Sequence, residues 1–226
     1  MQVQEVMLEL QAMGTEQRRN VFIRHGVGEN FYGVSFASLE VMRKRIKKDH
    51  ALALQLWATG NHDARLLATK IADPKQMDLG TINLWLPDLD NYIVADAFAD
   101  LVVKTPYAQA LADAWTGSQD EWTGRAGWHL IALLALHEQS LPDAYFEAYL
   151  DVIAREIHTR KNRTREGMNN AMIAIGLRDE ALQAKAIETA RKVGKVHIDH
   201  GDTSCKTPDA VPYIIRARAL RSVQAA

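Results

Sequence analysis

The sequence predicts an all-α fold, a right-handed superhelix of antiparallel helix pairs. Three observations predict it. Apolar residues recur at helical spacing along most of the chain. Capping residues, glycines and prolines fall between those stretches. One pattern, a helix end, a glycine stop and a new helix, returns along the chain, as expected when helix pairs stack.

The elements follow in order. Val21-Phe22-Ile23 is the one strand-like stretch, and it is too short to build a sheet. Phe36, Leu39, Met42 and Ile46 mark one side of a helix. Its end carries Arg43-Lys-Arg-Ile-Lys-Lys48, five cations in six residues. This run reads as a solvated helix end, because cations favour the partial negative charge of a helix carboxyl terminus, with phosphate contact on a nucleic-acid-binding face as the alternative. Trp57-Ala-Thr-Gly60 then precedes Asp63 to Ala68. Ile93, Val94, Ala97, Phe98, Leu101 and Val102 form a second stripe, with Asp90 placed to cap a helix from Asn91. Trp115-Thr-Gly117 precedes Trp122-Thr-Gly-Arg125-Ala126. From Trp128 to Leu136 only His129 is polar, so that helix is expected to be buried on most sides. Ser140-Leu-Pro-Asp143 fits a capping box ahead of the stripe Phe146, Leu150, Ile153 and Ile157. Met168, Ala171, Met172 and Ile175 form a further stripe, and Gly176 precedes another helix from Asp179 to Arg191. All six prolines fall in expected loops or helix starts.

Composition excludes several classes. Hydrophobic residues make up 47% of the 226, enough to build a core and too many for a disordered chain. Cys205 is the single cysteine, so no disulfide framework forms within the chain. The longest apolar run, Leu130 to Leu136, is far short of a membrane span. The N-terminus lacks the basic and apolar regions of a signal peptide, and the expectation is a cytoplasmic protein with no membrane partner. A formal net charge of −1 gives no global attraction to nucleic acid, so any such partner rests on local charge. No linker interrupts the pattern, and residues 1–226 are expected to form one domain with a polar C-terminal loop at about 195–212.

Four stretches carry a resemblance: Phe31-Tyr-Gly-Val34, Leu56-Trp-Ala-Thr-Gly60 with Asp63 to Ala68, Trp85 with Asp90-Asn-Tyr-Ile-Val-Ala-Asp96, and Trp122-Thr-Gly-Arg-Ala126. In this order and spacing the sequence resembles the AlkD-type DNA alkylation repair family, HEAT-like alkylpurine DNA glycosylases. The resemblance implies a HEAT-like superhelix and hydrolysis of the N-glycosidic bond of N3- or N7-alkylated purines. It implies no cofactor, and duplex DNA with alkylated bases as partner of a monomer. It implies a catalytic aspartate, which maps to Asp96, an aromatic residue four positions earlier, which maps to Tyr92, and an arginine opening a later helix, which maps to Arg125. A later tryptophan of the family maps to Asn170, within Gly167-Met-Asn-Asn-Ala-Met172.

The chemistry suits these residue types. Alkylation makes the purine cationic, so it departs as a neutral base. A carboxylate beside the oxocarbenium-like sugar and a positioned water then suffice. Asp96 can supply the carboxylate. Tyr92 lies one turn earlier on the same face, and its ring can contact the cationic base. Arg125 can fork onto a phosphate or pair with a neighbouring helix. Trp85, Trp122 and Trp128 are candidate groove residues, each alternatively a packing residue. Lys161, Arg163 and Arg165 form a second basic cluster beside Asn170, suited to phosphate contacts.

His197, Asp199, His200, Asp202 and Cys205 are metal-ligand types at close spacing, but no second cysteine or finger pattern accompanies them. They read as a polar loop bonded to its own backbone, with no metal. The alternative to an enzyme is a HEAT-like nucleic-acid-binding or protein-interaction scaffold without chemistry.

Overall fold

Short polar side chains start most of the helices. In the computed structural model, which describes residues 1–225, helix α1 covers Val3–Met13, α2 Glu16–Arg24, α3 Phe36–Ile46, α4 His50–Ala58, α5 His62–Ile71, α6 Leu79–Trp85 and α7 Tyr92–Val102. A 3-10 turn at Leu86–Asp88 separates α6 from α7. Then follow α8 Ala108–Trp115, α9 Glu121–His137, α10 Asp143–Glu156, α11 Asn162–Gly176, α12 Glu180–Val193 and α13 Ala210–Ala225. No strand occurs among the described residues. Thr15, Ser35, Asp49, Asn61, Asp78, Asp120 and Asp179 each accept a first-turn amide of the helix that follows. No helix among the described residues is long and apolar enough to cross a membrane.

Three local expectations need correction. Val21-Phe22-Ile23 lies within α2. Thr15 starts that helix, and Phe22 is buried edge-on to Phe31, Phe36 and His62, so packing overrides the β-branched run. Asn91, not Asp90, caps α7, its Oδ1 accepting the amides of Ile93 and Val94 at 3.0 and 3.1 Å. Asp90 accepts from the Asn91 amide group instead. The expected capping box at Ser140 does not form: the Ser140 hydroxyl donates to Glu138 at 2.8 Å, and extended Pro142 directly precedes α10.

The chain divides into two compact units, residues 1–108 with 200–204, and residues 109–199 with 205 onward. In the first, α5 packs on α3, α4 and α7. Trp57 and Trp85 stack at 4.1 Å between centroids with planes 4° apart, and Phe98 closes the cluster. In the second, α9 packs along α11, and α12 packs on α10 and α11. The apolar α9 is buried from Gly124 to Trp128 and again at Leu130, Ile131 and Leu134. Gly127 lets α9 approach Trp115 and Thr116 closely: a Cβ there would lie 2.6 Å from the Thr116 amide nitrogen.

Candidate nucleic-acid interface

The first turn of α5 fixes the loop ahead of α3 and the start of α7. Asp63 is fully buried, and its carboxylate accepts the amides of Tyr32, Gly33 and Val34 at 2.6, 3.1 and 2.9 Å. Burial raises the Asp63 carboxyl, and the three amides oppose that rise. His62 shares a 3.3 Å hydrogen bond with the Asn91 side chain through Nδ1. Burial, and secondarily Arg65, lowers His62 from 6.5 to about 4, so the ring is neutral at pH 7. Asn91 thus joins α5 to the cap of α7, the helix carrying Tyr92 and Asp96.

Tyr92, Asp96 and Asp100 follow one another by single turns and line one basin of about 430 Å³. Phe22, His25 and Arg18 of the α2 region, Phe36 of α3 and Lys70 of α5 complete its wall. Tyr92 is half-buried, and its hydroxyl is 2.7 Å from His25 Nδ1. The two rings are 6.0 Å apart. The bond fixes the tyrosine ring, while Arg18 and Lys70 bring cations to the same basin as the Asp96 carboxylate. A ring, a carboxylate and two cations can together receive a base, a sugar and its phosphates.

The remaining sequence candidates lie elsewhere. Trp85 belongs to the first unit but is buried at 1% exposure against Trp57, so it is a core residue and not a groove residue. Arg125, Trp122, Lys161, Arg163, Arg165 and Asn170 belong to the second unit. Arg125 is 4% exposed and donates to Glu166 at 2.6 Å and to the Arg163 carbonyl at 3.3 Å. Burial raises the Glu166 carboxyl, but Arg125 and Arg163 outweigh it and hold that group below its ordinary value. Arg125 therefore makes an inter-helix ion pair, the alternative that its sequence position leaves open beside a phosphate grip. Arg163 also binds Glu166, at 2.9 Å, and Arg165 donates to the carbonyls of His197 and Arg160. Arg163 and Arg165 thus each carry internal bonds within the second unit. Lys161 is exposed, and Trp122 and Asn170 are half-buried.

Sequence reasoning did not group the other basic run with Lys70 and Lys104. Arg43, Lys44, Lys47 and Lys48, read as a solvated helix end, line a cleft of about 610 Å³ with Lys70 and Lys104. Lys70 and Lys104 are isolated in sequence, so no local signal groups them with the run. In the C-terminal loop, Asn162 holds Asp199 by two bonds of 2.7 and 2.8 Å, and Cys205 is exposed. No three His, Cys, Asp or Glu side chains among the described residues converge as metal ligands.

Comparison with known proteins places this fold. Two uncharacterized Listeria proteins align over 216 residues, 93% of this chain and 94% of theirs: Lin0241 of Listeria innocua at 33% identity and Lmo0209 of Listeria monocytogenes at 32%. A solved structure superimposes with a TM-score of 0.90 and 30% identity, over 98% of this chain and 95% of that one. It represents a family described as related to the HEAT-like repeat DNA glycosylases, with affinity for branched DNA structures. The fold is accordingly all-α and HEAT-like. A family model described as DNA alkylation repair enzyme matches residues 6–214, nearly the whole sequence, and the chain belongs to that family.

Proposed function

We propose that this protein binds DNA as a monomer through the Tyr92–Asp96 basin, and that it prefers sites where a nucleotide is free to leave the stack, as at a branch. One observation carries the reading: the Tyr92 ring and the Asp96 carboxylate share a basin with Arg18, His25 and Lys70. A displaced base can lie against the Tyr92 ring, held in place through His25, while Arg18 and Lys70 face its phosphates. The branched-DNA affinity described for the structural relative supports it by likeness. The test is binding of a labelled four-way junction and of a matched duplex, across a salt series. Tighter binding of the junction, with affinity falling steeply with salt, is expected. Equal, salt-independent affinities overturn the reading.

The position of Asp96 favours a second reading, excision of N3- or N7-alkylated purines. An alkylated purine leaves as a neutral base, and the Asp96 carboxylate would stabilise the sugar cation and orient water. Duplex DNA carrying N7-methylguanine or N3-methyladenine is incubated with wild type and Asp96→Asn. Release of free base by wild type alone supports excision. Release by both, or by neither folded protein, removes it.

A further inference from the structure

A strongly basic cleft shares lining residues with the basin. The cleft of about 610 Å³ is lined by the last turn of α3 and the residues after it, by the end of α5 and by Lys104 beyond α7. Six cations line it, and Asp100 is its one carboxylate. Arg43 is paired with Glu40 at 2.7 Å and Lys48 with Asp73 at 3.1 Å. Lys44, Lys47, Lys70 and Lys104 make no ion pair with any described residue, and all four are exposed. Lys70, Ala97 and Asp100 also line the Tyr92–Asp96 basin, so the two hollows adjoin.

Complementing helix dipoles explains cations in the last turns of α3 and α5. It does not explain the strained backbone at Lys47. This residue caps α3 with φ 65° and ψ −140°, a conformation that a β-carbon disfavours. The same helix stop occurs at the end of α12, with φ 69° and ψ −153°, and there the residue is Gly194. Each makes the same closing bond, from its amide to the carbonyl four residues back, Arg43 or Ala190. Glycine therefore satisfies this stop without strain. At the lip of the cleft the chain carries a strained lysine instead, with its ammonium group unpaired. Backbone strain retained at one position, beside unpaired charge gathered from three helices, points to a ligand that the charge serves.

We infer that this cleft is a phosphate track, in which Lys44, Lys47, Lys70 and Lys104 hold the backbone of the DNA strand whose nucleotide occupies the Tyr92–Asp96 basin. The inference rests on the DNA-binding reading and extends it. Point-charge ammonium groups on flexible stems suit successive phosphates without reading sequence. Affinity from the track is thus sequence-independent and salt-dependent.

The experiment measures binding of the labelled four-way junction to the full chain between 50 and 200 mM salt. It compares wild type with Lys44→Gln/Lys104→Gln, Lys47→Gly, and the control Lys195→Gln/Lys206→Gln, which removes two exposed lysines outside the cleft. The cleft double variant is expected to bind about tenfold more weakly at physiological salt and to lose about two from the log–log salt slope. The control is expected to match wild type. Lys47→Gly separates structure from binding: relief of strain raises its melting temperature while its DNA affinity falls severalfold. If wild type binds and the cleft variants keep its affinity and slope, or if the control loses as much as they do, the track is overturned and the DNA-binding reading survives. If wild type binds no DNA even at 50 mM salt, the DNA-binding reading fails and the track fails with it.

Discussion

Asp63 Oδ2 accepts the backbone amide of Tyr32 at 2.6 Å, across thirty-one residues of sequence. With the amides of Gly33 and Val34 the same carboxylate takes three donors, and this bond set pins the loop before α3 to the first turn of α5. It is the physical content of two of the four sequence stretches that carry the family likeness. Asp63→Asn turns an N–H group toward backbone N–H groups in a buried site. The expected cost is about 2–4 kcal/mol, read by urea denaturation, with helix content retained at low urea. A loss below about 0.5 kcal/mol would contradict the role.

His62 makes stability depend on acid. Its folded value of about 4 lies below its ordinary 6.5, so between these values the unfolded chain binds more protons than the folded one. The contribution of the neutral ring is complete above about pH 6.5 and is lost as pH falls toward 4. That amounts to about 3 kcal/mol. Urea midpoints from pH 7 to pH 4 are expected to converge between wild type and His62→Gln, because the variant lacks this proton uptake. Parallel curves would contradict it.

Arg125 and Glu166 tie α9 to α11. Removal of one partner from a buried pair leaves the other uncompensated, although Arg163 remains beside Glu166. Arg125→Met is expected to lower stability by about 3 kcal/mol. A folded, undestabilised Arg125→Met with a reduced salt slope for DNA would restore the phosphate contact to this residue.

Gly127 tests the contact between α8 and α9. A methyl group there meets backbone atoms of Trp115 and Thr116 at 2.7 and 2.6 Å, which cannot give way as a side chain end can. Gly127→Ala is expected to cost about 3 kcal/mol despite the better helix propensity of alanine, measured as a lowered melting temperature. A stabilised variant would show that the helices separate freely.

Much of the scaffold is legible in the sequence because its causes are local. Helical spacing marks α7, α9 and α11, and short polar residues mark most helix starts. The spacing of Tyr92, Asp96 and Asp100 by single turns puts them on one edge of a helix, and all three line the basin. The misplaced cap at Asp90 shows the limit of local reading, since its neighbour Asn91 is equally able to serve. Asn91 takes the cap because its side chain also meets His62.

Which charges face outward is a tertiary decision. The two basic clusters look alike as sequence, and folding gives their cations different neighbours. Arg163 and Arg165 are taken up by Glu166 and by the carbonyls of Arg160 and His197, and Arg160 by Glu156 and the Ser118 carbonyl. Lys44 and Lys47 meet no such acceptors, and folding brings Lys70 and Lys104 beside them. The sequence alone determined the helices, their apolar faces and the edge that carries Tyr92 and Asp96. Only the tertiary structure decided which cations remained available, because a charge is neutralised by whatever acceptors folding brings within reach, and those acceptors lie up to about forty residues away along the chain.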